Sequence, residues 1–221
     1  MRGKFITFEG GEGSGKSTHA SLLAERLKAL AIECVLTREP GGSAGAEIIR
    51  HIILSGIAKP LGAETETILF AAARDDHVRM TIEPALNAGK WVICDRFIDS
   101  TRVYQGALGK VDMKLIRGLE RVTVGAAMPD LTFVLDVPAN IGLARAKTRR
   151  GAAAADRFES EAIEFHEDLR RAFLVLAERE PKRIVVIDGR APRDVVAERI
   201  WAAVNARLLG GLIEVAESVA P

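Results

Sequence analysis

No apolar run in this 221-residue chain approaches the ~18 residues that a membrane-spanning helix needs. Nor is there an excess of positive charge. The 31 basic and 30 acidic side chains nearly cancel, to a formal +1, which speaks against a non-specific nucleic-acid binder. Cysteine is scarce: Cys34 and Cys94 lie far apart inside apolar runs and read as packing residues rather than as a disulfide. Four histidines (His19, His51, His77 and His166) show no metal-ligand spacing and read as structural or surface groups. No internal repeat and no linker to a second domain is visible. A strand-like run begins at Phe5, which leaves no room for a secretory leader, so a cytoplasmic protein is the expectation. Neither nucleic acid nor membrane is expected as a partner.

What is present suits one soluble core, with 48% hydrophobic and 28% charged residues. Five short runs, rich in β-branched residues, each precede a longer helical pattern. They are Phe5 to Glu9, Cys34 to Thr37, Trp91 to Asp95, Leu131 to Asp136 and Ile184 to Asp188. Several are apolar at nearly every position, as strands covered on both faces should be. Between Ser17 and Leu30, the residues Ala20, Leu23, Leu27 and Leu30 recur at helical spacing, and Phe165, Leu169, Ala172 and Leu176 repeat the pattern. The alternation predicts an α/β fold: an open, parallel, five-stranded sheet with helices on both faces. Ligands of such sheets bind at the carboxyl ends of the strands. Four of the runs end at Glu9, Asp95, Asp136 and Asp188, and the repeated charge suggests that this edge faces a polar ligand. The expected organisation is a single domain over residues 1–208 and a tail, 209–221, of no assigned role. A mobile lid is expected over about 148–157, where basic residues flank the run Ala152 to Ala155.

The segment Gly10-Gly11-Glu12-Gly13-Ser14-Gly15-Lys16-Ser17 follows the first run and opens a helical pattern. Its glycines let the backbone wrap and turn successive N–H groups inward, and the helix start adds a positive end. In this phosphate-cradling arrangement Lys16 reaches the β- and γ-phosphates and Ser17 ligates Mg²⁺. The dinucleotide glycine fingerprint is missing from the loop, and no Asn-Lys-x-Asp guanine-reading motif occurs. ATP is therefore the expected donor. Two further segments bear on an acceptor. Thr37-Arg38-Glu39-Pro40-Gly41-Gly42 offers the planar fork of Arg38 beside a stiff turn, although a surface ion pair would account for it equally well. In Asp95-Arg96-Phe97-Ile98-Asp99-Ser100-Thr101-Arg102-Val103-Tyr104-Gln105-Gly106, Asp95 can hold Mg²⁺, Arg96 can meet phosphate, and Ser100, Thr101, Tyr104 and Gln105 make a polar helical face.

Together these segments, with Phe70-Ala-Ala-Ala-Arg74, resemble bacterial thymidylate kinases in content and order, over the chain up to about residue 208. The resemblance implies phosphoryl transfer from ATP to thymidine monophosphate, with Mg²⁺ and a homodimer packed through helices near Ile48 to Leu54 and Ile68 to Ala73. It implies an ATP site over Gly10, Gly11, Glu12, Gly13, Ser14, Gly15, Lys16, Ser17 and Thr18. Phe70 would stack on thymine, Arg74 would hydrogen-bond its edge, and Thr101 would stand near the base. Tyr104 would fill the place of a ribose 2′-hydroxyl, with Gln105 and Ser100 nearby. Glu12 would meet the 3′-hydroxyl, while Arg38 and Arg96 would grip the acceptor phosphate. The phosphate loop carries no arginine, so the catalytic arginines would come from the lid, where Arg149, Arg150 and Arg157 are the candidates. Two other readings are a deoxynucleoside kinase, using Glu39 or Asp95 as base, and a P-loop switch ATPase.

Overall fold

The computed structural model describes residues 2–151, 158 and 160–210. Strands β1 (Phe5–Glu9), β2 (Cys34–Arg38), β3 (Trp91–Asp95), β4 (Leu131–Asp136) and β5 (Ile184–Asp188) form one parallel sheet in the order β2-β3-β1-β4-β5. These are the five expected runs, with β2 one residue longer. Nine α-helices surround them among the described residues: α1 (Lys16–Ala29), α2 (Ala44–Leu54), α3 (Gly62–His77), α4 (Glu83–Asn87), α5 (Ile98–Thr101), α6 (Met113–Thr123), α7 (Ala139–Arg150), α8 (Ile163–Arg179) and α9 (Arg193–Leu208). Two π-helical turns, Val78–Ile82 and Arg102–Leu108, continue α3 and α5.

Burial on both faces explains the apolar strands. Ile6 and Phe8 of β1 pack with Leu23 and Leu27 of α1 and Trp201 of α9. Phe5, pointing the other way, packs with Val78, Ile82, Leu86 and Phe97. The two edge strands are less covered, with Leu36 47% and Val186 42% exposed, so two-sided burial holds for the three central strands only. In α1 the expected face is buried at Ala20, Leu23 and Leu27, whereas Leu30 caps the helix and is 41% exposed. A third cluster joins Leu169 and Phe173 of α8 to Val103 and Val134, with Phe165, Ala172 and Leu176 at its margin. Both cysteines are free. Among the described residues no helix is long and apolar enough to cross a membrane.

The chain leaves β1 for β2 on one side and reaches β4 on the other, so the crevice where the order reverses lies between β1 and β3. Register pairs Phe8 with Asp95 and Arg38 with Asp95, which brings the ends of three strands to one level. The first part of the segment expected as a lid is helical. Thr148, Arg149 and Arg150 belong to the last turn of α7, because the helical backbone continues until Gly151. Ala152 to Arg157 lie outside the described residues, as does the tail from residue 211 onward.

Candidate active site

The loop after β1 wraps as its glycines require. Gly10, Gly13 and Gly15 have φ of +131°, +64° and +96°, a region that L side chains rarely enter. Gly13 also lies against α7, where an added Cβ would sit 1.9 Å from the carbonyl oxygen of Gly142. Conversely, a Cβ on Gly142 would sit 2.3 Å from the carbonyl of Glu12. Lys16 curls over the loop and its Nζ donates to the carbonyls of Gly10 (3.1 Å) and Gly11 (2.7 Å) and to Ser14 Oγ (3.4 Å). The Ser17 hydroxyl donates to Asp95 Oδ2, while Asp95 Oδ1 is buried with no hydrogen-bond partner.

Beside this loop opens a cavity of about 360 Å³. Glu12, Gly13, Gly15, Lys16, Ser17 and Thr18 line it from the donor side. Facing them stand Arg38, Phe70, Arg74, Asp95, Arg96, Ser100, Thr101, Tyr104 and Gln105. All nine candidate residues of the acceptor side and metal site beyond the loop therefore converge. Arg149 joins the wall from α7; Arg150, its neighbour, does not line the cavity, and Arg157 lies outside the described residues. Six cations (Lys16, Arg38, Arg50, Arg74, Arg96, Arg149) against three carboxylates (Glu12, Glu39, Asp95) leave an excess of three positive charges, suited to two anionic ligands.

Most of the polar acceptor-side groups are held by side-chain contacts. Arg74 is 3% exposed; its Nε donates to Glu39 Oε2 at 2.8 Å, and Nη2 donates to the carbonyl of Phe97 at 3.3 Å. Glu39 is shared with His77 Nδ1 at 3.0 Å, and His77 Nε2 meets Thr37 Oγ1 at 2.7 Å. Arg96 adopts φ +69°, an uncommon region for a side-chain-bearing residue and a recurrent mark of functional sites. It pairs with Glu12 and donates to Tyr104 Oη at 3.1 Å. The Tyr104 ring is wedged edge-on among Phe158, Phe165 and Phe173. Gln105 Nε2 donates to buried Glu66 at 3.3 Å. Arg38 is half exposed and pairs with Glu47 at 3.0 Å.

Burial and neighbouring charge set the protonation states. Burial pushes Lys16 down to about 8, helped by Arg96 and resisted by Glu12, Asp95 and Glu9. Burial disfavours the Glu12 carboxylate, yet Arg96, Lys16 and Arg149 outweigh it and hold the carboxyl below its usual range. The strand-end acids differ from the sequence expectation. Only Asp95 reaches the cavity. Glu9 is fully buried and accepts from Phe97 N, Ser100 N and Ser100 Oγ, whereas Asp136 is held by Arg170 and Asp188 by Arg190. A parallel sheet brings carboxylates to this edge, but most of them brace loops there.

The profile of the thymidylate kinase family matches residues 8–200. This chain belongs to that family. It is 61% identical to the thymidylate kinase of Nitrobacter winogradskyi over 209 residues, covering 95% of this chain and 91% of the relative. Identity to the thymidylate kinase of Rhodopseudomonas palustris strain BisB18 is 62%, over 94% and 91% of the two chains. The crystal structure of thymidylate kinase from Ehrlichia chaffeensis superposes with a TM-score of 0.73 at 34% identity, over 92% of this chain and 99% of that one.

Within this thymidylate kinase fold, some lining residues had no signal in the sequence. Arg50 and Leu54 of α2 and Phe158 line the cavity, although α2 reads as an outward apolar helix. Glu39 has a role other than the catalytic base of the deoxynucleoside kinase reading: it is the buried anchor of Arg74 and His77. Gly142 is legible only once α7 is seen against the phosphate loop. As for the metal of the resemblance, Mg²⁺ favours one or two protein oxygens completed by phosphates and water. The Ser17 hydroxyl and the Asp95 carboxylate, with its unpartnered Oδ1, fit that demand.

Proposed function

We propose that this chain transfers the γ-phosphoryl group of ATP to thymidine monophosphate, giving the diphosphate and ADP. The observation that carries the reading is the meeting of Lys16 and Arg96 in one cationic cavity, the first from the phosphate loop and the second from the segment after β3. ATP lies with its phosphates on the backbone N–H groups from Gly10 to Thr18. Lys16 leaves the loop carbonyls and takes the β- and γ-phosphates. Ser17 and Asp95 would hold Mg²⁺, which when bound would draw negative charge from the phosphates.

The acceptor enters from the opposite wall. Phe70 stacks on thymine, Arg74 bonds its edge while Glu39 holds the guanidinium flat, and Thr101 stands beside the base. Tyr104 blocks the position of a 2′-hydroxyl, with Ser100 and Gln105 completing the polar wall, and Glu12 receives the 3′-hydroxyl. Arg38 and Arg96 grip the acceptor phosphate. That phosphate, with a second pKa near ~6, is a ready nucleophile at neutral pH, so no general base is required. The engagement of Glu39 by Arg74 and His77 supports this over a kinase that deprotonates a sugar hydroxyl. Arg149, with Arg150 and Arg157 of the lid around 148–157, neutralises charge spreading over the transferring group, and closure excludes water.

The enzyme is cytoplasmic and dimeric in this reading. Ile48 (68%), Ile57 (69%), Leu61 (63%) and Ile68 (48%) expose an apolar patch on α2, α3 and their connection, which supports a homodimer through those helices. Initial rates with ATP and thymidine, or with thymidine, deoxyuridine, deoxycytidine and adenosine monophosphates, test the assignment. Thymidine monophosphate should be the preferred acceptor. Faster transfer to thymidine itself, or hydrolysis that ignores every acceptor, would overturn it.

A further inference from the structure

The helix that carries Ser100, Thr101, Tyr104 and Gln105 into the cavity has a second, buried side. Asp99 is fully buried there, and both its oxygens are claimed. Arg183 grips it two-pronged, Nη1 to Oδ2 at 2.7 Å and Nη2 to Oδ1 at 2.9 Å. Arg102 adds a third bond to Oδ1 at 3.2 Å. Each arginine reaches further. Arg183 donates to Thr132 Oγ1 of β4 at 2.8 Å and to Glu180 at 2.9 Å, and Thr132 meets Thr7 of β1 at 2.7 Å. Arg102 holds Glu120 of α6 through Nε and Nη2, and Glu180 at 2.8 Å. One carboxylate thus ties the acceptor helix to the central strands, to α6 and to the segment between α8 and β5.

We propose that Asp99, clamped by Arg183 and Arg102, is a positioning residue that sets the register of the acceptor-binding helix over the sheet. It rests on the acceptor assignment made above and deepens it. The next residue, Ser100, lines the cavity and is bonded through both N and Oγ to Glu9 at the end of β1. A shift of the clamp therefore acts first on Ser100 and Thr101, which face the acceptor, whereas the phosphate loop has its own seat against Gly142 of α7. Only a two-oxygen anion satisfies the fork of Arg183; an asparagine would turn an N–H donor against one prong.

The clamp also leaves an electrostatic mark. Burial raises the Glu9 carboxyl to about 7, and the charge of Asp99 is the second cause, against the lowering effects of Ser100, Arg96 and Phe97 N. The other titratable groups facing Glu9 are Lys16, Cys94 and Tyr104. Loss of the Asp99 charge lowers the Glu9 midpoint, whereas a purely mechanical loss, which loosens the Ser100 bonds that hold it down, would raise it. The charge outranks the bond, so Asp99→Asn lowers it on balance.

The experiment compares Asp99→Asn and Arg183→Lys with the parental enzyme. Asp99→Asn should raise the KM for thymidine monophosphate about tenfold and leave the KM for ATP within about twofold. Its Glu9 carboxyl, followed by ¹³C NMR of labelled glutamate and assigned with Glu9→Gln, should titrate below the parental midpoint of about 7. Arg183→Lys keeps the charges but loses the fork, so the acceptor KM should rise less and the Glu9 midpoint should move upward, as the Ser100 bond loosens while the Asp99 charge remains; it serves if Asp99→Asn does not fold. Equal rises in both KM values, or an unchanged acceptor KM in both variants, would overturn the proposal. The Glu9 titration needs no substrate, so an enzyme that refused thymidine monophosphate would sink the functional reading and still leave the clamp testable.

Discussion

The donor loop and the acceptor wall share one cavity but are built by different means. On the donor side the backbone does the binding: three glycines at positive φ, a helix N-terminus and one lysine, all within a single stretch of eight residues. On the acceptor side the binding groups are side chains from several elements, and three of the supports are buried or half-buried ion pairs. Arg74 depends on Glu39, Arg96 on Glu12, and the helix of Ser100 and Thr101 on Asp99. A local device fails locally. A distributed one fails through its partners too, including Asp99, which lies outside the cavity.

That contrast can be broken first at Lys16. Lys16→Ala should lower kcat by at least about 10²–10³-fold, measured by coupled assay, with the KM for thymidine monophosphate little changed. A variant transferring at the parental rate would remove the loop from the chemistry. The acceptor wall should fail differently. Glu39→Gln leaves Arg74 buried without its counter-charge, so the melting temperature should fall, and the acceptor KM should rise about tenfold while the ATP KM holds. An equal rise in both would mean that the two sides are not independent.

The smallest effect concerns protons. Burial places Lys16 near 8, so part of it is neutral at pH 8.5. Bound phosphates favour its charged form and raise the value again. ATP binding at pH 8.5 should therefore take up a fraction of a proton, and uptake should fade toward pH 6.5, where Lys16 is already charged. Calorimetry in two buffers of different ionisation enthalpy measures this, and proton release at pH 8.5 would contradict the depressed value.

The same contrast explains what was legible in the sequence. The phosphate loop is contiguous, and its glycines announce their backbone requirements, so its position and its helix follow from residue order alone. The strands are legible because burial on both faces leaves uninterrupted apolar runs such as Phe133 to Leu135. Arg74 and Phe70 needed family resemblance, since a phenylalanine on a helix is ordinarily core. Glu39 and Asp99 were opaque for another reason: their partners lie 35 and 84 residues away, and only the folded sheet brings them together. The strand-end acids misled for the same cause. Topology places Glu9 at the ligand edge, but whether it faces solvent or a neighbouring helix is decided by packing. The helical start of the expected lid segment was missed because Thr148, Arg149 and Arg150 extend α7, and small or charged residues do not by themselves end a helix.

The tight seat of Gly13 on Gly142 fixes more than a turn. With no space for even a methyl group between them, the start of α7 is pinned to the loop that cradles phosphate. Arg149 stands seven residues further along, about 10 Å down the axis. The helix is then a lever with its fulcrum at the donor, and a tilt of about 10° at that fulcrum swings the guanidinium end by about 2 Å. The seat at the loop and the reach at the far tip become one mechanical coordinate.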